Sequence, residues 1–482
     1  MMTKVFRSLL LGGCLTLTAC AAVPQYENAA GSVADLRLMP QSLADMAERY
    51  AGPGGSYGPG ALLRPHAEAQ ADMERFRERF FAPWTSTEVN LFAVQDSLAE
   101  LERAPDRRGY AGNLNPWTDE AWRALRRNAD LPGLERVMRR PQPRAAVTVR
   151  ATDLRAAPTV EPRFDEVHGA GKGWPFDLFQ QSALPVGLPL SVLHESADRA
   201  WLYVESSGIW GWVRAQDVAF AEPEFQKLWR GPQLCAAVRD GVSLTFRHLG
   251  TKAETTAPRI EPGAFLASAD IGTVLPASGA DAVLVPVRGL DGKAYAVTAG
   301  WAPPAGGTHG AAVVSMPLPL TPAKLADVGD RMMGQPYGWG GLNGGRDCSA
   351  MMRDLFTPFG IWLPRNSAKQ AEAGTRVPLD TLEPAAKEQR LLKEALPFRT
   401  LVWMPGHIGL YVGQWQGRAA FFHNMWGVRN TLGDGRPGRV IVGRAVLSGL
   451  RPGAERHDVK PENLLIERVG AFTLVGGKYS GK

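Results

Sequence analysis

The spacing of apolar residues changes twice along this chain. Over about residues 35 to 140 they recur every three or four positions. Met73, Phe76, Phe80 and Phe81 do so in ADMERFRERFFAPW, and Trp122 and Leu125 in NPWTDEAWRALRRNADL. That period predicts amphipathic helices, the first ended by Pro83 and the second opened by Thr118 as N-cap. From about Ala145 the pattern shortens. AVTVRATDLRAAPT alternates and then turns, and LPLSVLHES, WLYVES and IWGWVRAQDVAF are short apolar runs divided by Gly, Ser, Asp and Pro. Such runs predict strands, and strands this close together predict a small barrel. A second stretch of the same texture, about residues 224 to 316, carries AFLASA, AVLVPVRG and AYAVTAGW. Residues 317–325, PLPLTPAKL, read as a linker entering the helix that opens the last domain. After Arg451 the chain is polar, then apolar again in LLIERVGAFTLVGG, a tail expected to pack back on the body and given no function.

The chain begins with a different pattern. Lys4 and Arg7 precede an apolar run from Leu9 to Leu17, and Leu-Thr-Ala-Cys follows, ending at Cys20. Such a run is too short to span a bilayer and fits a secretory signal. Its ending resembles the bacterial lipobox, so residues 1–19 are expected to be removed and Cys20 to carry lipid. Ala21, where an Asp would signal inner-membrane retention, points to the periplasmic face of the outer membrane of a Gram-negative bacterium. Cys14 then leaves with the signal, and only Cys235 and Cys348 remain as thiols. Two distant cysteines in an exported protein are not a disulfide scaffold. Cys235 reads as a small apolar core residue.

Length and composition refine the picture. At 482 residues the chain exceeds a single core, which implies three or four domains. The 37 prolines and 53 glycines favour turns and short strands, and the 14 tryptophans suit small β-domains or wall-facing surfaces. The formal charge of +6 includes Lys4 and Arg7. A basic run over residues 126–144 reads as a solvated helix face near anionic lipid or wall polymer, so no nucleic-acid partner is expected.

The candidate chemistry lies in the last domain. In GGLNGGRDCSAMMRDLF, Cys348 stands where a glycine-rich turn becomes a helix with Met351, Met352, Leu355, Phe356 and Phe359 as its apolar stripe. A helix N-terminus favours thiolate, the nucleophilic form. Alone, the same placement also suits a buried capping cysteine. The base candidate is His407, which shares a strand face with Gly409 and Tyr411. Phe421, His423 and Met425 share a face of the next strand. A hairpin turning at Trp415 sets the two histidines opposite each other. A nucleophile, a base and a group that orients the base are then in one domain. There is no His-Glu-x-x-His or paired Cys-x-x-Cys, so no metal or other cofactor is expected.

PYGWGGLNGGRDCS, GHIGLYVG and FFHN, in that order over about residues 321 to 450, resemble the NlpC/p60 cysteine peptidases of bacterial cell walls. The resemblance implies Cys348 as nucleophile, His407 as general base and His423 as its orienting residue. It puts Tyr337 near the oxyanion hole. Asp347 and Ser349 match the Asp-Cys-Ser of members that bind a γ-D-glutamyl residue. Leu-Arg-x-x-Pro-Thr and Gly-Trp-Val in the first β segment resemble bacterial SH3-like domains. The whole order, and PFDLFQQSAL, resemble the YkfC-like branch, whose first barrel walls the groove so that stems with a free N-terminal L-Ala fit. Trp210 is a candidate for the groove rim, although a place in the barrel core is the better reading of it. LPRNS departs from the branch by placing Asn366 where an Asp would pair with the free amine. The fold implied is multidomain α+β. Residues 20–140 form a tether and helical segment, 141–223 and 224–316 two SH3-like barrels, 317–450 a papain-like catalytic domain, and 451–482 a tail. The function implied is hydrolysis of the γ-D-glutamyl-L-diamino acid (diaminopimelate) bond of peptidoglycan stem peptides or muropeptides, chiefly those with a free L-Ala. The alternatives are a non-catalytic wall-binding lipoprotein, or an amidase or acyltransferase on another wall substrate.

Overall fold

A computed structural model describes residues 26–28, 33–49, 58–86, 89–139, 141–246, 268–301 and 311–476. The signal-like segment and Cys20 lie outside the described residues.

The helical period is realised in His66–Thr85, Leu91–Leu101 and Asp119–Ala129. Pro83 does not end the first of these, which runs to Thr85. Thr118 caps the third as expected, accepting from the Ala121 N–H at 3.2 Å. These helices do not bury their apolar faces against one another alone. Phe76, Phe80 and Phe81 join the core of the second β unit. Trp122 and Leu125 pack with Trp201, Tyr203 and Trp212 of the first, and Leu43 and Met46 of a preceding helix, Leu43–Arg49, enter the core of the last domain.

The first β unit is a seven-stranded sheet in the order Gln180–Leu184, Thr152–Arg155, Ile209–Arg214, Trp201–Ser206, Pro189–Glu195, Arg144–Thr148, Val218–Phe220. Leu190, Val204 and Val213 fill its inside, while Tyr203 and Trp212 meet the helices outside. With both faces covered, consecutive positions are buried along several strands, as in Pro189–Leu193 and Trp201–Val204. The second unit splits into a four-stranded and a three-stranded sheet, and Cys235 is buried in its core.

The last domain is built on a mixed seven-stranded sheet. Its order is Tyr26–Asn28, Pro437–Ser448, Arg418–Thr431, His407–Trp415, Thr400–Met404, Ala471–Val475, Gly374–Pro378. The tail therefore does more than pack back: Ala471–Val475 is an interior strand, paired on both sides. The helix Cys348–Phe356 lies across this sheet. Met351, Met352, Leu355 and Phe356 are buried with Ile408, Leu410 and Phe422 of the two strands that carry the histidines.

Candidate active site

The turn before Cys348 is shaped by contact with the first β unit. Gly340 and Gly341 have φ of 58° and 87°, and a Cβ on Gly341 would come within 2.4 Å of the Ala183 Cβ. Only glycine takes both the backbone angle and the approach. The Gln180 side chain then donates to the Gly340 carbonyl at 3.1 Å, and Trp339 Nε1 donates to the Asp177 carbonyl at 2.9 Å. Phe176 packs edge-on against Trp339, 5.1 Å between centroids. PFDLFQQSAL is thus the segment that docks the β unit on the turn.

Asp347 caps the helix, its Oδ1 accepting from the Ala350 N–H at 2.9 Å. Both oxygens also accept from Arg365, which donates in turn to Ser349 Oγ at 2.5 Å and to Ser182 Oγ at 3.1 Å. Gly340 N–H reaches Asp347 Oδ2 at 3.1 Å. Charge-assisted, bidentate pairing of this kind ties turn, helix and first β unit together. The Arg365 guanidinium holds the Asp347 carboxyl below its ordinary value, against burial. Arg365 was not singled out from sequence, although it stands in LPRNS beside Asn366.

Cys348 is the first residue of the helix and is buried. Its sulfur accepts from the backbone N–H of Ile408, the residue after His407. Burial, reinforced by Asp347, pushes the thiol up to about 12. The helix terminus does not overcome this, so the resting form is thiol rather than the thiolate expected from position. Burial pushes His407 down to about 3, with Arg468 acting in the same direction. It holds His423 well below its ordinary value too. Both rings rest neutral.

His407 Nε2 lies 2.7 Å from His423 Nδ1. The hairpin differs from expectation in register. It turns at Gln416 and Gly417, both at positive φ, and a shift between Tyr411 and Gly413 sets Leu410 opposite Phe422. His423 consequently faces Gly409 rather than His407. A Cβ on Gly409 would sit 2.7 Å from the His423 Cβ, so the glycine makes room for the diagonal pair of rings. Beyond His423, its Nε2 lies 2.9 Å from Ser448 Oγ, a residue with no sequence motif to mark it.

A cavity of about 500 Å³ opens over Cys348, lined among others by Tyr337, Asp347, Ser349, Asn366 and Trp210. Burial holds the Tyr337 phenol well above its ordinary value, so it is a neutral donor. Trp210 stands at the rim, with Lys369 Nζ 5.7 Å from its ring centre, while Trp212 is core. Asn366 is not an open acceptor. Its amide oxygen caps the helix Ser367–Gln370, taking the N–H groups of Ala368 (2.9 Å) and Lys369 (3.3 Å), which leaves only its NH₂ donors.

Parts of the chain and its fold are similar to known proteins. Residues 334–430 match the model of the NlpC/P60 family, 162–214 an SH3 domain of the SH3b1 type, and 4–132 the N-terminal NLPC_P60 stabilising domain. A γ-D-glutamyl-L-lysine dipeptidyl-peptidase of Bacillus subtilis (strain 168) is 38% identical over 94 residues. That match covers 19% of this chain, and the chain spans 30% of that relative's length. An NlpC/P60 endopeptidase from Photobacterium damselae subsp. piscicida superposes with a TM-score of 0.74 at 23% identity, over 91% of this chain and 98% of that one. An NlpC/P60 family protein from Bacillus cereus ATCC 10987 gives 0.41 at 17% identity, over 68% and 98%. The chain carries an NlpC/P60 family domain together with an SH3 domain and that family's N-terminal stabilising domain, in a multidomain α+β fold.

Proposed function

We propose that this protein is a cysteine endopeptidase that hydrolyses the γ-D-glutamyl-L-diamino acid bond of peptidoglycan stem peptides. The carrying observation is the Cys348 thiol against the backbone beside His407, with His407 bonded to His423 at 2.7 Å. The activity in the name of the Bacillus subtilis relative supports the choice of bond.

In this reading His407 takes the thiol proton as the Cys348 sulfur attacks the γ-amide carbonyl carbon. The Tyr337 hydroxyl and the Cys348 backbone N–H, which has no acceptor within the helix, steady the oxyanion. The C–N bond breaks, and the diamino acid leaves with the proton from His407. Water then gives a proton to His407 and its hydroxyl to the acyl carbon, and the restored thiol leaves. The fixed Arg365, with four of its five N–H donors used, has one to offer the α-carboxylate of D-Glu beside Ser349.

A free L-Ala amine finds little to hold it. The Asn366 oxygen is spent on its helix, Asp347 is spent on Arg365, and Lys369 adds positive charge. Donors at this end suit a carbonyl, so stems still acylated on L-Ala, as in intact wall, are favoured over free ones. The lipobox-like start supports a lipid anchor on Cys20 and action at the periplasmic face of the outer membrane.

Mass spectrometry of L-Ala-γ-D-Glu-diaminopimelate and its N-acylated copy, incubated with wild type and Cys348→Ala, tests this. Wild type alone should release diaminopimelate, faster from the acylated peptide. Cleavage by both proteins, or at another bond, would sink the proposal. Preference for the free amine would sink only its last part.

A further inference from the structure

Ser448 closes the hydrogen-bond chain behind the two histidines. It is the last residue of the strand Pro437–Ser448, it is fully buried, and its Oγ lies 2.7 Å from the Gly449 carbonyl oxygen as well as 2.9 Å from His423 Nε2. A carbonyl only accepts, so the one hydroxyl proton goes to Gly449. Oγ therefore accepts from His423, whose Nε2 carries a proton. In the neutral ring Nδ1 then holds a lone pair. His407 Nε2, 2.7 Å away, is left as the donor, and its Nδ1 is the free base. Nδ1 is also the ring nitrogen nearer the backbone, where the Ile408 N–H meets the Cys348 sulfur. One hydroxyl sets the tautomer of both rings.

This corner is held from the other end of the chain. Asp35, in the helix Ala34–Leu38, accepts from the Gly449 N–H at 2.8 Å. The Gln41 amide takes both backbone groups of Leu447, donating to its oxygen at 2.9 Å and accepting from its N–H at 3.0 Å. Arg418, Glu388 and Glu455 are the charged groups facing Asp35, and Arg468 and Asp347 those facing His407.

We propose that Ser448 is a positioning residue that holds His407 with Nδ1 free toward the thiol, and that Asp35 and Gln41 of the N-terminal segment fix Ser448 in place. This rests on reading Cys348 and His407 as nucleophile and base. It gives the N-terminal segment a part in the site's proton chemistry besides its packing.

The test is nitrogen-15 spectroscopy of the histidine rings in the full chain, for wild type, Ser448→Ala, Ser448→Thr and Gln41→Ala. It is paired with kcat and KM for a stem peptide across pH. Wild type should show Nε2–H in both rings. S448A should show mixed tautomers, with kcat lower by roughly 10- to 100-fold and KM nearly unchanged. S448T should restore both readouts, and Q41A should shift them mildly in the direction of S448A. A single Nε2–H tautomer in S448A overturns the inference, and so does a kcat within about two-fold of wild type. The ring spectra decide the matter even if no stem is cleaved, an outcome that would defeat the substrate reading instead.

Discussion

Cys348 is drawn in opposite directions by position and by burial, and burial prevails. Its motif, and the pattern of His407 and His423, could be picked out because all three sit in short runs of fixed spacing. The protonation state could not, because it depends first on burial and on the Ile408 N–H, both of which only the fold brings to the sulfur. The same holds for Arg365 and Ser448, whose partners are remote in sequence. A neutral resting pair has a measurable consequence. Activity requires neutral His407, so the acid limb of kcat/KM should lie well below the ordinary histidine value of 6.5, with activity persisting below about pH 5. Stability should move the other way. Below 6.5 the unfolded His423 binds a proton that the buried ring does not. Its contribution is therefore full above that value and lost as pH falls, by roughly 1.4 kcal/mol per pH unit. Urea unfolding at about pH 7 and about pH 5 should show at least this slope in wild type, where buried His407 adds to it, and a shallower one in His423→Gln. Equal slopes would show that His423 is protonated in the fold.

At the level of elements, the period of apolar residues located helices and strands, and turn chemistry decided the errors. The hairpin carrying the histidines was legible as two strands. Its register was not, since a shift at Tyr411 to Gly413 and a Gln416–Gly417 turn move His423 to Gly409. Ala471–Val475 was legible as apolar, but not as an interior strand, because both of its neighbours precede it by many residues. The turn before Cys348 makes the sharpest element-scale prediction. Gly341→Ala meets both positive φ and the Ala183 contact, so it should destabilise by more than about 1 kcal/mol and raise KM by loosening the groove wall. Thermal unfolding and steady-state kinetics of this variant check both effects. An unchanged KM would mean that the first β unit does not shape the groove.

Across the whole molecule, one groove is assembled from distant parts of the chain. The first β unit supplies Leu178, Gln180, Gln181 and Trp210, the last domain supplies Tyr337, Cys348 and Arg365, and the N-terminal helices pack against all three later units. Sequence pattern showed the order of these units but not that the N-terminal segment reaches the strand end at Leu447–Gly449. In the proposed reaction this groove delivers a γ-D-glutamyl carbonyl to the Cys348 sulfur. A diazomethyl ketone built on N-acyl-L-Ala-γ-D-Glu places an electrophile at that carbonyl. After incubation with the full chain, intact-mass measurement and peptide mapping should find a single adduct, on Cys348, that a stem tripeptide competes away. A folded protein that takes no adduct, or takes it on Cys235, would contradict the account.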